Sequence, residues 1–546
     1  MAGEMFIESR DDDLQYEISN NFGGGMLSNA RAILLQTNQT QYLQNVDLTL
    51  TGDATTRRGT IALDAIVGGV SNTPAGVQGM FWYSTSANEY LVAVNKSALY
   101  KWIDPNWTAF GAAWSNASNT AMTRFAQLVN KLYFCNGTNN LFSWDGTTLT
   151  DLGSGAVAQP PANARLVCEH TNRLVVVGSG VDRNKLFFSQ FADGTVYNSN
   201  LWTTAIGDND EIVQIKSWTN FNLLVFKRHS IWVINCDPTL QINDPGNTIA
   251  FFEVKPIHRS LGCIAAESVQ QVGNDVFFLS QHGLYSINKL IASGSDTEIG
   301  PDLSYPIHDY IERINGANIG KAAAVGYGTH YMLSVPLVNA TENSHTLVWN
   351  DALRVFSGVW TGWNASCFAY CSPLTGNRLR IGQNGAGKVK EWLDYVPVAQ
   401  EDVTTFQDDG VVIPSSITTK SYTFGGISNK KTPYIVRADF YGCTADSTLS
   451  VQFDRFPPIQ ILSIPASGGP GIVFPLMFPI FFPGNRSFPA FAPLQALGQF
   501  TEASFTLTTA SKKLNLNSLA FGSWNDTISM ATPGGSFGQP QNIILT

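Results

Sequence analysis

The sequence predicts an all-β protein, with a β-propeller of about six or seven blades followed by a C-terminal β-sandwich-like domain. Runs that alternate apolar and polar residues are broken about every ten residues by Gly, Asn or Asp, which is typical of short strands joined by tight turns. No segment keeps a long 3.6-residue apolar period. With 12% aromatic and 14% charged residues in 546, the composition is not that of a disordered chain.

A two-strand unit recurs along the first 390 or so residues. Each copy has an apolar strand, a tight polar turn and a second strand with an aromatic residue near its start, as in NKSALYKW at 95–102 and SQHGLYSI at 280–287. The residues that open the second strands are Leu99, Leu141, Leu186, Ile231, Leu284, Thr346 and Val389. Their spacings are 42, 45, 45, 53, 62 and 43 residues, and propeller blades repeat about every 40 to 50 residues. The alternative is that these units are hairpins of a β-sandwich and not propeller blades.

We expect three parts in the chain. Residues 1–60 contribute strands to the propeller, residues 61–397 form it, and residues 398–546 form the sandwich-like domain. The stretch at 396–412, VPVAQEDVTTFQDDGVV, has the composition of a linker with acidic turns. The best helical segment is short and lies at 306–315, where the apolar residues fall on one side.

An apolar segment interrupts the C-terminal domain at 457–493, where nine prolines occur. A membrane-spanning helix is excluded, because prolines every few residues would break its backbone hydrogen bonds. We therefore expect a Pro/Phe-rich loop that is buried against a partner or an apolar target, with packing on its own chain as the alternative. The residues predicted to make that contact are Phe474, Met477, Phe478, Phe481, Phe482 and Phe488.

The charge of the chain argues against a protein that reads DNA sequence. Its 33 Lys and Arg residues are outnumbered by 42 Asp and Glu residues, which gives a net charge of −9. Tight nucleic-acid binding depends on clustered cations that neutralise phosphates. The same balance is compatible with a surface past which a polyanion slides without being held.

The seven cysteines show no CxxC spacing. We expect reduced and mostly buried thiols in a chain that folds in the cytosol, with a packing role for Cys367 and Cys371 rather than a metal site. The first residues lack the basic and apolar regions of a secretory signal, so we expect no export by that route.

Motifs for catalysis are weak. GQNGAGKV at 382–389 has phosphate-loop spacing, but Val389 replaces the Mg²⁺-binding hydroxyl residue, and the segment is predicted to be a hairpin turn. GGSFG at 534–538 matches the nucleophile-elbow string without a following His. The acidic loops at 207–211 and 407–410 lack EF-hand spacing. We expect no catalytic residue, no cofactor and no metal site.

Three longer segments resemble a known family. They are NVDLTLTGDATTRRG at 45–59, LWTTAIGDNDEIVQI at 201–215, and the segment 259–287 that begins RSLGCIAAESVQQVG. In order and content they resemble the tail nozzle or hub proteins of short-tailed bacteriophages, also called DNA-stabilisation or tail tubular proteins. The family-like structural residues are Asn45, Arg58, Gly59, Gly207, Asp208 and Gly283.

The resemblance implies a structural protein of the virion, assembled in the host cytoplasm as a homohexameric ring. Such a ring forms part of the channel that retains and ejects the genome. Its partners would be copies of itself, the portal and adaptor, other tail proteins including fibres, the host envelope, and double-stranded DNA that passes without sequence-specific binding. The apolar segment would be a clamp between subunits or the lip of the nozzle.

Two other functions stay open from the sequence. A receptor- or carbohydrate-binding propeller of a phage tail would need exposed aromatic platforms beside acidic loops. A propeller glycoside hydrolase would need a pair of carboxylates such as Asp208 and Asp210.

Overall fold

A computed structural model describes most of the chain, and the described part is mostly strand. The described residues are 14–63, 76–95, 98–111, 114, 121–153, 159–197, 203–236, 241–244, 247–250, 253–297, 302–373, 376–385, 387–397, 400–402, 404–424, 430–441, 447–454, 456–464, 487–494, 497, 500–510 and 515–525.

Seven small, mostly antiparallel sheets follow one another in the described residues between 60 and 412, the sixth being one end of a larger sheet, and we number them in chain order. Sheet 1 has Val77–Ser84, Glu89–Asn95, Ala98–Ile103 and Asn106–Phe110, and sheet 2 has Arg124–Leu128, Lys131–Cys135, Phe142–Trp144 and Leu149–Asp151. Sheet 3 has Leu166–His170, Arg173–Val177, Lys185–Gln190 and Asp193–Tyr197, and sheet 4 has Ile212–Ser217, Asn222–Lys227, Ile231–Asn235 and Glu253–His258. Thr203–Ala205 adds to sheet 3, and a hairpin of Gln241–Asp244 and Asn247–Ala250 interrupts sheet 4.

The remaining three sheets are less regular. Sheet 5 has Gln270–Val272, Asp275–Ser280 and Gly283–Ser286; sheet 6 has Ala323–Tyr327, His330–Val335, His345–Asn350 and Val355–Thr361; and sheet 7 has Ala365–Cys371, Arg378–Gln383, Val389–Trp392, Thr60–Ala62, Gln407–Asp408 and Val411–Val412. The two short α-helices are Ile287–Ser293 and His308–Glu312, and 3-10 turns are found at Ala32–Leu34, Gly180–Asp182, Ala266–Ser268, Tyr305–Ile307, Ile319–Lys321, Leu393–Tyr395 and Thr404–Phe406.

The sequence repeat matches the phase of these sheets. Each of the seven residues from which the repeat was counted lies at the start of the third strand of its sheet, and all seven side chains are buried. The hairpin expected at 382–389 joins two strands of sheet 7, and the short helix expected at 306–315 is found at Tyr305–Glu312 as a 3-10 turn followed by an α-helix.

The sheets pack face to face in chain order, in a propeller-like arrangement. Separate apolar clusters lie between sheets 1 and 2, 2 and 3, 3 and 4, 4 and 5, and 6 and 7. A further cluster joins sheet 7 back to sheet 1, through residues such as Cys367 and Val77. Because a four-stranded sheet has two faces to bury, packing against a neighbour on each side gives every sheet a core.

Two further sheets form a second layer. We call the first the hydroxyl sheet; its strands, in order, are Thr40–Gln44, Pro414–Thr419, Ala503–Ala510, Ser447–Phe453 and Ile459–Ile464. We call the second the cover sheet; its strands are Val46–Leu48, Ala54–Thr56, Asn515–Asn525, Lys431–Tyr441 and Ser487–Pro493, with Leu14–Ser19 paired to Asn515–Asn525. Aromatic and aliphatic side chains of both sheets share one core, which continues into sheets 5 and 6.

Most of the N-terminal strands pair with the C-terminal part of the chain. We expected residues 1–60 to add strands to the propeller; Thr40–Gln44 does pair with Val355–Thr361 of sheet 6, at Gln44 and Val359, whereas the other strands described before residue 60 belong to the cover sheet. Leu14–Ser19 and Ala54–Thr56 pair with the C-terminal strand Asn515–Asn525, and Thr40–Gln44 pairs with Pro414–Thr419. The second layer therefore combines both ends of the chain. Thr60–Ala62 alone among the described N-terminal strands joins sheet 7, beside Val389–Trp392.

Two loop predictions differ from the structure as well. The expected linker at 396–412 is packed: Thr405, Phe406 and Asp408 are buried, and Gln407–Asp408 pairs with sheet 7. The expected loop at 457–493 begins and ends as strands, at Ile459–Ile464 and Ser487–Pro493. Both are the last strands of their sheets in the described order, where proline is tolerated because no ladder hydrogen bond is lost.

Six of the seven cysteines lie in the described residues, and all six are free thiols. Burial raises the pKa of Cys135, Cys236, Cys263, Cys367 and Cys371 to about 12. These thiols are therefore protonated at neutral pH and pack as small apolar groups. In the part of the chain that is described, no helix has the length and hydropathy needed to cross a bilayer.

A buried ion pair joins the two layers. Arg57 is fully buried, and its guanidinium makes two hydrogen bonds to the carboxylate of Asp408, one of them 3.0 Å long. It also donates to Asn45 Oδ1 at 3.1 Å and to the carbonyl oxygen of Thr361 at 2.7 Å. Asn45 in turn donates to the carbonyl of Pro414 at 2.7 Å. One guanidinium thus connects the N-terminal strands, the end of sheet 6, sheet 7 and the start of the hydroxyl sheet.

Asp408→Asn is expected to lower the free energy of unfolding by about 3 to 5 kcal/mol, because it leaves the Arg57 charge buried without its counter-ion. Lys255→Met, which removes one partner of the exposed pair between Lys255 and Glu253, is the control and is expected to change it by less than about 1 kcal/mol. Guanidinium denaturation of both variants measures the difference. Equal stability of the two variants would contradict the structural role of the buried pair.

Candidate functional site

The strands of the hydroxyl sheet carry no charged side chain. None of its five strands contains Asp, Glu, Lys or Arg. In Pro414–Thr419, Ala503–Ala510 and Ser447–Phe453 every second side chain is buried, and the side chains between them reach solvent. Because successive side chains of a strand point to opposite faces, the buried set contacts the cover sheet and the other set forms the outer face.

Hydroxyl and amide groups form regular rows across this face. One row runs through Gln44, Ser416, Thr508, Thr448 and Ser463, and the next runs through Tyr42, Thr418, Thr506, Ser450 and Gln460. The hydroxyls of Thr448 and Thr508 lie 2.7 Å apart, and those of Thr418 and Thr506 lie 3.2 Å apart. Strands are spaced about 4.8 Å apart, so these groups recur at that interval across the sheet.

A shallow groove of about 490 Å³ lies in the same face. Its lining consists of Gln44, Pro414, Ser415, Ser416, Thr448, Thr508 and Thr509. Neutral hydroxyls donate and accept hydrogen bonds, but they cannot neutralise phosphate charge or repel it. The face can therefore be wetted and can lie beside a polyanion without holding it.

Asn45, Arg58 and Gly59, which the resemblance singled out, lie at the junction between the two layers. Arg58 donates to the carbonyl of Val396 at 2.6 Å and to Glu401 Oε1 at 2.7 Å. A side chain at Gly59 would meet the backbone carbonyl of Gln407, since a Cβ there would lie 1.9 Å from that oxygen. These residues position the backbone of the expected linker against sheet 7.

Gly207 and Asp208 lie in the acidic loop before sheet 4. Lys227 is fully buried, and its ammonium donates to the carboxylate and to the carbonyl of Asp208, both at 2.6 Å. Burial opposes ionisation of Asp208, but the hydrogen bonds from Lys227 and from the backbone of Asp210 hold its pKa below the ordinary value. The acidic loop is thus fastened to sheet 4 by an internal ion pair.

Gly283 occupies the turn between the last two strands of sheet 5. Its φ is 144°, and a Cβ there would lie 2.5 Å from Asp302 Oδ1. Asp302 accepts the backbone N–H of Ser304 at 2.8 Å, and the Ser304 hydroxyl accepts the N–H of Leu284 at 3.1 Å. Glycine at this position lets the carboxylate fold back onto the turn.

The apolar residues predicted to contact a partner are mostly outside the described residues. This holds for Phe474, Met477, Phe478, Phe481 and Phe482. The backbone of Phe488 is described and pairs with Phe440 in the cover sheet. The nucleophile-elbow string at 534–538 also lies outside the described residues.

Sequence reasoning missed two features that the structure brings together. The charge-free strands are visible in the sequence, but Thr40–Gln44 is more than 360 residues from the other four, which are themselves not consecutive in the sheet order, so their shared face was not recognised. Arg57 and Asp408 are 351 positions apart, and the sequence around each residue does not indicate that the two form an ion pair. Lack of charge alone would not have marked Ala503–Ala510, since longer uncharged stretches occur at 65–88 and 105–123.

Gly207→Ala is expected to destabilise the protein by about 1 to 3 kcal/mol more than Gly328→Ala. Both glycines have positive φ, 51° and 58°, so both substitutions strain the backbone. A Cβ at Gly207 would lie 2.3 Å from the ring of Trp232, whereas nothing lies within 4 Å of one at Gly328. Thermal unfolding of the two variants measures the difference, and equal losses would show that the loop does not pack against Trp232 as described.

No protein-family model and no curated protein sequence matches this chain. Among solved structures, the crystal structure of the computationally designed Ika8 protein is similar over 61% of this chain and 99% of its own, at 10% identity and a TM-score of 0.34. YCF48 bound to D1 peptide is similar over 64% of this chain and 97% of its own, at 8% identity and a TM-score of 0.33. Both TM-scores are low, so the description of the fold rests on the strand pairing above.

Proposed function

We propose that this chain is a structural subunit of a bacteriophage tail nozzle, in which a ring of copies forms part of the channel that retains and ejects double-stranded DNA. In this proposal the seven sheets are the blades of one propeller that Thr60–Ala62 closes, and the hydroxyl and cover sheets form a sandwich attached to it. The ring is a hexamer that binds the portal, the adaptor and other tail proteins, and the chain catalyses no reaction.

The observation that carries the proposal is the uncharged outer face of the hydroxyl sheet. Duplex DNA has about one charge per 1.7 Å, and each Lys or Arg that contacts a phosphate adds affinity through counter-ion release. A wall with Ser416, Thr506 and Thr508 in its rows offers neutral hydrogen bonds instead. We assign this face to the bore of the nozzle, where DNA must move without being held.

The connection between the two layers supports a mechanical role for the subunit. The last strand of sheet 6, Val355–Thr361, lies beside Thr40–Gln44, so one nine-stranded sheet continues from sheet 6 into the hydroxyl sheet. Backbone pairing and the ion pair between Arg57 and Asp408 fix this connection. A rigid subunit suits a channel that resists the pressure of a packaged genome.

The acidic loops are engaged in ion pairs that favour a structural role over hydrolysis. Asp208 pairs with Lys227, and Glu211 pairs with Arg165. The same holds for Asp408, which pairs with Arg57. A glycosidase needs two carboxylates that face a substrate with pKa values set for acid and base catalysis, and these three are committed to internal cations.

Thr508→Lys places a cation on the exposed part of the uncharged face. We expect virions that contain this variant to assemble and to eject their DNA at least about threefold more slowly, because each ammonium in the bore attracts passing phosphates. Ejection is measured by the fluorescence of a DNA-binding dye after receptor addition, at low and at high salt. The slowing should disappear at high salt, where the attraction is screened.

Ala292→Lys is the matched control, since it adds the same charge to an exposed helix outside the hydroxyl sheet and should leave ejection unchanged. Mass spectrometry of purified virions gives an independent check. Absence of the chain from the particle would refute the proposed function. Its presence together with wild-type ejection by the Thr508→Lys variant would refute the placement of this face in the bore.

A further inference from the structure

A charged pocket lies where sheets 2 to 6 converge. Its volume is about 410 Å³, and its lining consists of Arg124, Arg165, Glu211, Val213, Arg228, Cys263, Ile264, Ala266 and Gly320. Most of these residues lie at or just before the first strands of sheets 2, 3, 4, 5 and 6. We call it the arginine pocket, because three guanidinium groups share it.

Cations outnumber carboxylates around this pocket. Arg124 pairs with Glu267 at 2.8 Å, and Arg165 pairs with Glu211. Arg228 reaches the same Glu211 at 3.3 Å, so two guanidiniums share one carboxylate. In a chain with a net charge of −9, this local excess of positive charge is an exception.

Two further acids lie on the adjoining loop. Asp208 is already paired with Lys227, and Asp210 accepts the backbone N–H of His229 at 2.9 Å and does not line the pocket. Burial lowers the pKa of Lys216, further along the strand that follows Glu211, while Glu267 opposes this.

The guanidiniums of Arg165 and Arg228 are not fully hydrogen-bonded. The Nε of Arg165 is buried and has no hydrogen-bond partner among the described residues. The Arg228 side chain is 58% exposed, and its one ion pair, to Glu211, is long. Burial lowers the pKa of Arg165 and neighbouring Arg124 and Arg228 lower it further, while Glu211 opposes this. An added anion would relieve this repulsion.

The wall between the arginines adds no competing charge. Burial raises the pKa of Cys263 to about 12, so its thiol stays neutral. The thiol donates a hydrogen bond to the carbonyl oxygen of Ala265, with Sγ 3.2 Å from that oxygen. Val213 and Ile264 contribute apolar surface. A ligand that joins an anionic group to a small neutral body would match both parts of the lining.

We propose that the arginine pocket binds a small phosphate ester, with Arg124, Arg165 and Arg228 around the phosphate group. A phosphate monoester has about two negative charges and three acceptor oxygens, which suits several guanidinium donors better than a single carboxylate does. The volume is at the lower end of the range for small-molecule sites, which fits a ligand of sugar-phosphate size. This binding does not depend on the nozzle proposal.

Isothermal titration calorimetry of the full chain with glucose 6-phosphate, inorganic phosphate and a short DNA duplex tests the proposal. We expect glucose 6-phosphate to bind at least as tightly as inorganic phosphate, and the duplex not to bind. Arg228→Gln should weaken binding of the ester by about tenfold, since a charge-assisted hydrogen bond is lost. Glu211→Gln should tighten it severalfold, because the carboxylate that competes for Arg165 and Arg228 is removed.

Arg259→Gln is the matched control: its side chain is similarly exposed and forms an ion pair with Asp296 outside the pocket, so binding should stay within twofold of the unmodified chain. Circular dichroism confirms that each variant is folded. The proposal is overturned if glucose 6-phosphate gives no heat at millimolar concentration, if inorganic phosphate binds and the ester does not, if the duplex binds instead, or if Arg228→Gln and Arg259→Gln behave alike.

Discussion

The contact between Arg57 and Asp408 is the constraint on which the rest of this structure depends. It lies beside the strand Thr60–Ala62 that completes sheet 7, and through Asn45 it reaches the first strand of the hydroxyl sheet. Two segments more than 300 positions apart must therefore meet before the propeller-like layer and the second layer can be joined. Burying an ion pair is costly unless its other hydrogen-bonding groups are satisfied, and here Thr361 and Asn45 satisfy the guanidinium.

This junction gives the molecule one continuous sheet from the propeller-like layer to the hydroxyl sheet. Its consequence is that the uncharged outer face is held by the same strands that form the core with the cover sheet. Inward residues such as Phe505 and Leu507 alternate with outward Thr506 and Thr508, so the apolar core fixes where the hydroxyls point. The strands of this surface carry no charge, which is the property that the proposed passage for DNA requires.

The local pattern of apolar and polar residues was enough to predict the repeated sheets, because the strand, the turn and the aromatic strand of each unit are adjacent in sequence. Leu99, Leu186 and Ile231, which the repeat placed at the start of the second strand of each two-strand unit, each lie at the start of the third strand of a sheet. The partners of the N-terminal strands were not predictable in this way. Leu14–Ser19 pairs with residues near 520, and such long-range pairing leaves no signal in either segment alone. The strand Ser487–Pro493 was not predicted because of its prolines, which are tolerated because it is the last described strand of its sheet.

Cryo-electron microscopy of the virion that is proposed to contain this chain is the most direct measurement. We expect a hollow sixfold ring below the portal, with the rows of Ser416, Thr418, Thr506 and Thr508 facing the bore. A particle in which the subunit occurs singly, or in which these rows face away from the DNA, would contradict the assignment of this molecule to the wall of the genome channel.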